Sequence, residues 1–419
     1  MRILLVTLAA LLLFVLTLAE ILWWAQPVAA FFGRRIQWDA GDFATLYCAG
    51  RLVVTGHSHK LFDLDALTAI RRADTSVPSP DKISYLNPPF FAAVLAPFAL
   101  LPFGLAYQVW IGISVALIAA TCCMVWRITS SLPKWQRGLL IFAFVASYPV
   151  TFALRLGQFS MILLASWTLA YVLLRRGRDR AAGVALAALL IKPELLIPVA
   201  AFLFWKKRYA VFITLAPLTV VAVAASFAVA GPAEGLHYPL FILDNARNSA
   251  HGTRTDLMFG WNGLLSAFVG PKHPLTATLL SAPMVALTLA ATAMVWRGQL
   301  CPEGRHFPRQ WLLLTLATVL VDPNFFLQDI VIVAPAAFAL LSQTEGRGRA
   351  AMGAAVAVGW VLFGLGFQPT LRWHINLVAI YMVAGFAALV LQAAREPSAL
   401  RAVVKPAQFP GLEGGSKVA

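Results

Sequence analysis

The run GLAYQVWIGISVALIAATCCMVW, residues 104–126, contains no Asp, Glu, Lys or Arg. About 20 such residues in helical form cross the hydrocarbon core of a bilayer. A membrane strand would alternate polar and apolar side chains, and this run does not, which argues against a β-barrel. Comparable stretches recur along the chain, which is 60% hydrophobic and only 12% charged. Soluble domains carry about 25% charged residues. The expected class is an all-α polytopic membrane protein, because helices satisfy their own backbone polar groups in lipid.

Candidate helices cover residues 3–24, 104–126, 138–154, 159–174, 181–192 and 194–205, then 209–231, 275–296, 311–322, 326–342, 350–367 and 374–394, about twelve in all. The first is expected to stay as a membrane helix; the alternative is a signal peptide cleaved near Val28-Ala29-Ala30. The pairs around Lys192 and Asp322 are too short to span alone. They are expected to be broken or hairpin helices lining a protein cavity. The apolar stretch Phe90 to Leu101, punctuated by Pro88, Pro89, Pro97 and Pro102, reads as interfacial or re-entrant.

The formal charge is +15, but the basic residues gather in short clusters between apolar runs, as topology signals do. Arg127/Lys134/Arg137, Arg175 to Arg180, Lys206-Lys207-Arg208, Arg297/Arg305/Arg309 and Arg347/Arg349 alternate onto one face. That face is expected to be cytoplasmic, with both termini inside. The long loops 25–103 and 232–274 then lie outside, and half of the 18 acidic residues collect there. Residues 1–394 read as one membrane domain and 395–419 as a disordered cytoplasmic tail. Four scattered cysteines form neither a zinc spacing nor a C-x-x-C pair. Phosphate loops, dinucleotide fingerprints and H-E-x-x-H are absent from the sequence. The basic clusters have no nucleic-acid fold around them. No metal, cofactor or nucleic-acid partner is expected.

The positions able to carry chemistry sit at breaks between apolar runs. Trp38-Asp39-Ala40-Gly41-Asp42-Phe43 opens the first loop's aromatic turn. Asp42 reads either as an N-cap of a helix starting near Phe43 or as a carboxylate base at the membrane boundary. Partial burial raises a carboxyl pKa towards the range useful to a base. Asp39 is the second candidate, and capping fits it better. Arg155-Leu156-Gly157-Gln158 forms a turn whose arginine is a snorkelling anchor or a ligand. Lys192-Pro193-Glu194 interrupts an apolar run, and ionisable residues within membrane segments are functional candidates by default. The second long loop carries Arg254 and Asn262, and an arginine there can clamp phosphate oxygens. Asp322-Pro323-Asn324 to Gln328-Asp329 sets two carboxylates beside a helix break.

These residues resemble the pattern of glycosyltransferase family 87. The likeness runs through Asp42-Phe43 to Tyr47, Ala49-Gly50-Arg51, Leu61-Phe62-Asp63, Tyr85-Leu86-Asn87-Pro88-Pro89-Phe90 and Ala96-Pro97 to Pro102 with Trp110. It continues in Gly157-Gln158-Phe159-Ser160, Leu173-Leu174-Arg175-Arg176-Gly177, Ala182-Gly183, Lys192-Pro193, Trp205, Asn262-Gly263-Leu264-Leu265 and Asp322-Pro323-Asn324. The resemblance implies a C-type glycosyltransferase membrane fold whose first external loop bears interfacial helices. It also implies a polyprenyl-phosphate sugar donor, often mannose, and a catalytic aspartate, matched here by Asp42. The family's later motif often carries Ser-Pro and His, where this chain reads Asp322-Pro323 and Gln328-Asp329.

The expected activity is therefore transfer of mannose or another hexose or pentose from polyprenyl phosphate to a lipid or glycan acceptor, with inversion. The site would face the outside of the inner membrane and serve the cell envelope. Asp42 would be the base, and Lys192, Arg155, Arg254 and Arg372 would hold the donor phosphate. Asp39, Gln158, Asn262, Gln328 and Asp329 would contact sugar or acceptor. The alternative is a polytopic transporter or flippase of lipid-linked substrates, its midplane site built by the broken helices.

Overall fold

The computed structural model describes residues 41–75, 77, 84–247, 254–270, 273–296 and 300–395, together with Leu18. The expected first helix 3–24, Asp39 and the tail beyond residue 395 lie outside the described residues. Every regular element among the described residues is helical.

The segment read as a long first loop folds into three short helices. Helix α1 (Gly41–Val54) has Asp42 inside its first turn, where a carboxylate complements the helix dipole. Helix α2 (Leu64–Asp74) is capped by Asp63, whose Oδ1 accepts from the backbone amides of Asp65 and Ala66 at 3.0 and 3.1 Å. Helix α3 (Pro89–Ala99) carries proline at its first position, where no amide is needed. It packs on α1 so closely that a Cβ on Gly50 would lie 2.8 Å from the Leu95 carbonyl oxygen. The stretch read as interfacial or re-entrant is this packed helix.

Helix α4 (Phe103–Ile128) realises the opening apolar run. The single helix expected over 138–154 is instead α5 (Lys134–Val145) and α6 (Tyr148–Leu156), bent by 41°. Ala146 and Ser147 fall in the bend, and Pro149 starts the second helix. Then come α7 (Ser160–Arg175), α8 (Asp179–Ala187) with a 3-10 turn over Ala188–Ile191, and α9 (Pro193–Trp205). Helix α10 (Tyr209–Arg247) is broken at Gly231, whose φ of 83° and ψ of 164° only glycine adopts readily. Past that break its Phe241 and Tyr238 rings pack on Phe62 at 5.0 and 5.8 Å, joining the two regions read as external loops.

The chain continues through α11 (Trp261–Val269), α12 (Pro274–Val295) and α13 (Phe307–Val321). A 3-10 turn over Leu327–Ile332 leads into α14 (Val333–Gln343), α15 (Gly346–Leu365), α16 (Gln368–Trp373) and α17 (Leu377–Arg395). Among the described residues five helices are long and apolar enough to cross a membrane: Phe103–Ile128, Tyr209–Ile242, Leu275–Val295, Gly346–Leu365 and Leu377–Arg395. The bent α5–α6 pair is a sixth if it counts as one span. Thus, apart from 3–24, which lies outside the described residues, and 138–154, which is split, the expected segments are helical, while α7, α9, α13 and the 327–343 segment stay shorter than a span.

Those short helices form the interior. Trp167 of α7 and Trp311 of α13 are fully buried with ring centroids 5.3 Å apart. The Trp167 indole nitrogen donates to the Thr315 hydroxyl at 3.0 Å, so its polar edge is satisfied. Tyr171 stacks on Phe307 at 5.3 Å with planes only 6° apart. By contrast, just 6% of the most apolar window of α15 is buried in the protein. An apolar helix with so little protein cover is suited to a lipid surround.

Candidate active site

The site begins where α1 meets the turn after α6. Phe43, fully buried, lies 5.6–5.8 Å from the rings of Phe103, Tyr107 and Trp110 on α4. The Tyr107 hydroxyl donates to the Leu154 and Arg155 carbonyls at 3.2 and 3.0 Å, pinning the end of α6. Gly157 then turns the chain with φ 67° and ψ 37°. A Cβ there would lie 2.5 Å from that of Phe43, so only glycine lets the turn approach α1 this closely.

That approach delivers Gln158 to Asp42: the amide Nε2 donates to Oδ2 at 2.5 Å. On the other side Arg71 of α2 donates to the Gly41 carbonyl at 3.0 Å and to the Thr45 hydroxyl at 3.3 Å, holding the first turn of α1. Burial pushes the Asp42 carboxyl above its ordinary value; the Gln158 hydrogen bond and the Arg71 charge oppose this, and the Asp329 charge adds to it. A half-buried carboxylate with raised proton affinity is what a general base requires.

Asp329 belongs to a second, deeper group. Its Oδ1 accepts from the Ser160 hydroxyl at 2.9 Å, and its Oδ2 sits 2.6 Å from Lys192 Nζ. The same ammonium donates to the Asn324 carbonyl at 2.8 Å and lies 3.4 Å from Asp322 Oδ2. Asp322 Oδ1 in turn accepts the Asn324 amide at 2.7 Å. Lys192, Asp322 and Asp329 are all at most 7% exposed. Burying ions is costly unless they are paired and hydrogen-bonded; Lys192 and Asp329 are both, whereas Asp322 Oδ2 is paired with Lys192 but has no hydrogen bond. The breaks create this group: Lys192 ends the 3-10 turn before Pro193, and Asp322 ends α13 before Pro323. Asn87 closes it from the first loop, donating to the Ile191 carbonyl at 3.2 Å.

The structure therefore sets the Asp42–Gln158 pair and the Ser160–Asp329–Lys192 group side by side, two residues apart on one turn. Gln328, beside Asp329, is also buried. Arg155 is half-buried in the last turn of α6. Arg254 is engaged with Asp256 through two contacts, Nε to Oδ1 at 2.9 Å and Nη2 to Oδ2 at 2.5 Å. Arg372 is exposed on the short α16. Asn262 is buried in the first turn of α11, its Oδ1 3.5 Å from the Thr278 hydroxyl. Among the described residues no three His, Cys, Asp or Glu side chains converge as metal ligands would.

Ser160, Asp322, Asn324 and Arg71 complete these groups without having been singled out as ligands. Ser160 stood in a quoted motif, two residues after Gln158, and that spacing was its only signal. Arg71 is 5% exposed while Arg72 beside it is exposed; nothing in the sequence separates the two.

The family model for glycosyltransferase family 87 matches residues 85–327, more than half of the 419-residue chain. Comparison with curated proteins gave no match, and comparison with solved structures gave none either. Gln158, Ser160 and Lys192 fall within the matched residues, while Asp42 and Asp329 fall outside them.

Proposed function

Because the chain belongs to glycosyltransferase family 87, we propose that it moves a sugar from a polyprenyl-phosphate donor to an acceptor hydroxyl, with Asp42 as the base. The observation that carries this reading is the half-buried Asp42 carboxylate, fixed by Gln158 on the same turn whose Ser160 bonds the buried Asp329. A membrane-embedded site of this kind suits a donor held in the bilayer by its lipid. The absence of nucleotide-binding motifs from the sequence points the same way.

In the proposed step Asp42 takes the proton from the acceptor hydroxyl as its oxygen attacks the anomeric carbon. The bond from that carbon to the phosphate oxygen breaks, and polyprenyl phosphate departs with the electron pair. One displacement inverts the anomeric configuration. Arg155, the basic group nearest Gln158 in the chain, is our first candidate for the phosphate; Arg254 and Arg372 are the others. Gln328 and Asn262 offer amides for sugar or acceptor hydroxyls, and the site faces the outside of the inner membrane.

Purified protein in nanodiscs should transfer labelled sugar from polyprenyl-phosphate-linked mannose, or another lipid-linked hexose or pentose, with inversion. It should not use the corresponding nucleotide sugar. Transfer from the nucleotide sugar, or net movement of lipid-linked sugar across the bilayer without transfer, would overturn the reading.

A further inference from the structure

We propose that Ser160, Asp329 and Lys192 are positioning residues for Asp42, a role that rests on reading Asp42 as the base. The turn after α6 is gripped at both ends. Gln158 holds Asp42 at 2.5 Å, and two residues later Ser160 holds Asp329 at 2.9 Å. The turn is itself stiff: the Gln158 amide donates to the Ala153 carbonyl at 2.9 Å, and Gly157 has no room for a side chain. Any displacement of Asp329 is thus passed through one short, packed turn to the amide that orients the base.

Lys192 serves this unit from inside. An ammonium has three protons; that of Lys192 donates to Asp329 Oδ2 at 2.6 Å and to the Asn324 carbonyl at 2.8 Å, and it pairs with Asp322 Oδ2 at 3.4 Å. Wrapped by two carboxylates and a carbonyl, it offers little positive field to a donor phosphate. Its effect is to hold Asp329 Oδ2 in place at 2.6 Å while Ser160 holds Oδ1 at 2.9 Å. That anion in turn faces Asp42 and raises its proton affinity.

The charges acting on Asp42 among the described residues are Asp329 from the 327–332 turn and Arg71 from α2. Helix α3 carries no ionisable side chain, and α4 presents Phe103, Tyr107 and Trp110 to the first turn of α1. Helix α6 carries Arg155 in its last turn, and Arg51 of α1 itself is paired with Asp74 at 2.7 Å. Arg71 and Asp329 therefore pull Asp42 in opposite directions.

The test is an infrared difference titration of Asp42 in purified protein, its carboxyl band assigned by Asp42→Asn. This readout needs neither donor nor acceptor. Asp329→Asn should lower the pH at which Asp42 titrates by about half a unit or more, since a like charge is removed. Lys192→Met removes the ammonium that holds Asp329 Oδ2 and should likewise move the Asp42 titration. Lys192→Arg should restore the wild-type titration. An Asp42 titration unmoved by Asp329→Asn, or a Lys192→Arg variant as shifted as Lys192→Met, overturns the proposal. If Lys192→Met does not fold, the isosteric Asp329→Asn decides alone. Normal titration shifts in a protein that transfers no sugar would leave the positioning unit standing and remove the transferase reading.

Discussion

At Asp42 two opposing effects set the chemistry. Desolvation favours the protonated acid, and the Gln158 amide favours the carboxylate that a base must be. The sign of the pH dependence follows. A base works only when unprotonated, so kcat/KM falls as pH drops through the Asp42 pKa. Because that pKa is raised, the fall begins above the ordinary carboxylate range. Gln158→Ala removes a donor to the charged form and should move the acid limb of kcat/KM to still higher pH. A limb displaced to lower pH would show that Gln158 does not favour the carboxylate. Asp42 and Gln158 were legible in the sequence because both sit at abrupt ends of apolar runs. Ser160 and Arg71 were not, because a serine opening an apolar helix and an arginine on an amphipathic one look the same whether they bind inward or face water.

Among the elements, breaks matter more than helices. The positions of α4, α7, α9, α12 and α17 could be read from apolar runs and flanking basic residues alone. The bend between α5 and α6 could not, since Ala146 and Ser147 interrupt neither hydropathy nor charge. The family resemblance implies interfacial helices in the first long loop, and capping at Asp42 a helix near Phe43; the loop folds into α1, α2 and α3, and of these α2 has no apolar run to announce it. Gly157 is the break that builds the site. Gly157→Ala would place a side chain at φ 67° and a Cβ 2.5 Å from that of Phe43. Strain of this kind costs about 1–3 kcal/mol, and relief by backing the turn away would pull Gln158 off Asp42. The variant should lose thermal stability and transfer activity together. Wild-type activity in a destabilised Gly157→Ala protein would separate the turn from the base.

Across the whole molecule the basic clusters give an orientation that the helices alone leave open. Cys301 is exposed in the Arg297–Arg309 region, which the proposed topology puts on the cytoplasmic side. A variant retaining only Cys301 should react with a membrane-impermeant maleimide in permeabilised cells and stay unlabelled in intact ones. Labelling in intact cells would invert the topology and move Asp42 to the nucleotide-sugar side. The fold class was legible because the apolar runs are long. The meeting of Asp42 with Lys192 and Asp329 was not, because they lie some 150 to 290 residues apart and only the packed bundle joins them. The most direct test of the central claim compares wild type with Asp42→Asn, purified and shown to be folded, for sugar transfer from polyprenyl phosphate. General-base catalysis contributes about 10²–10⁴-fold, so Asp42→Asn should lose activity by that order with the donor still bound; activity within a few-fold of wild type would mean that Asp42 is not the base.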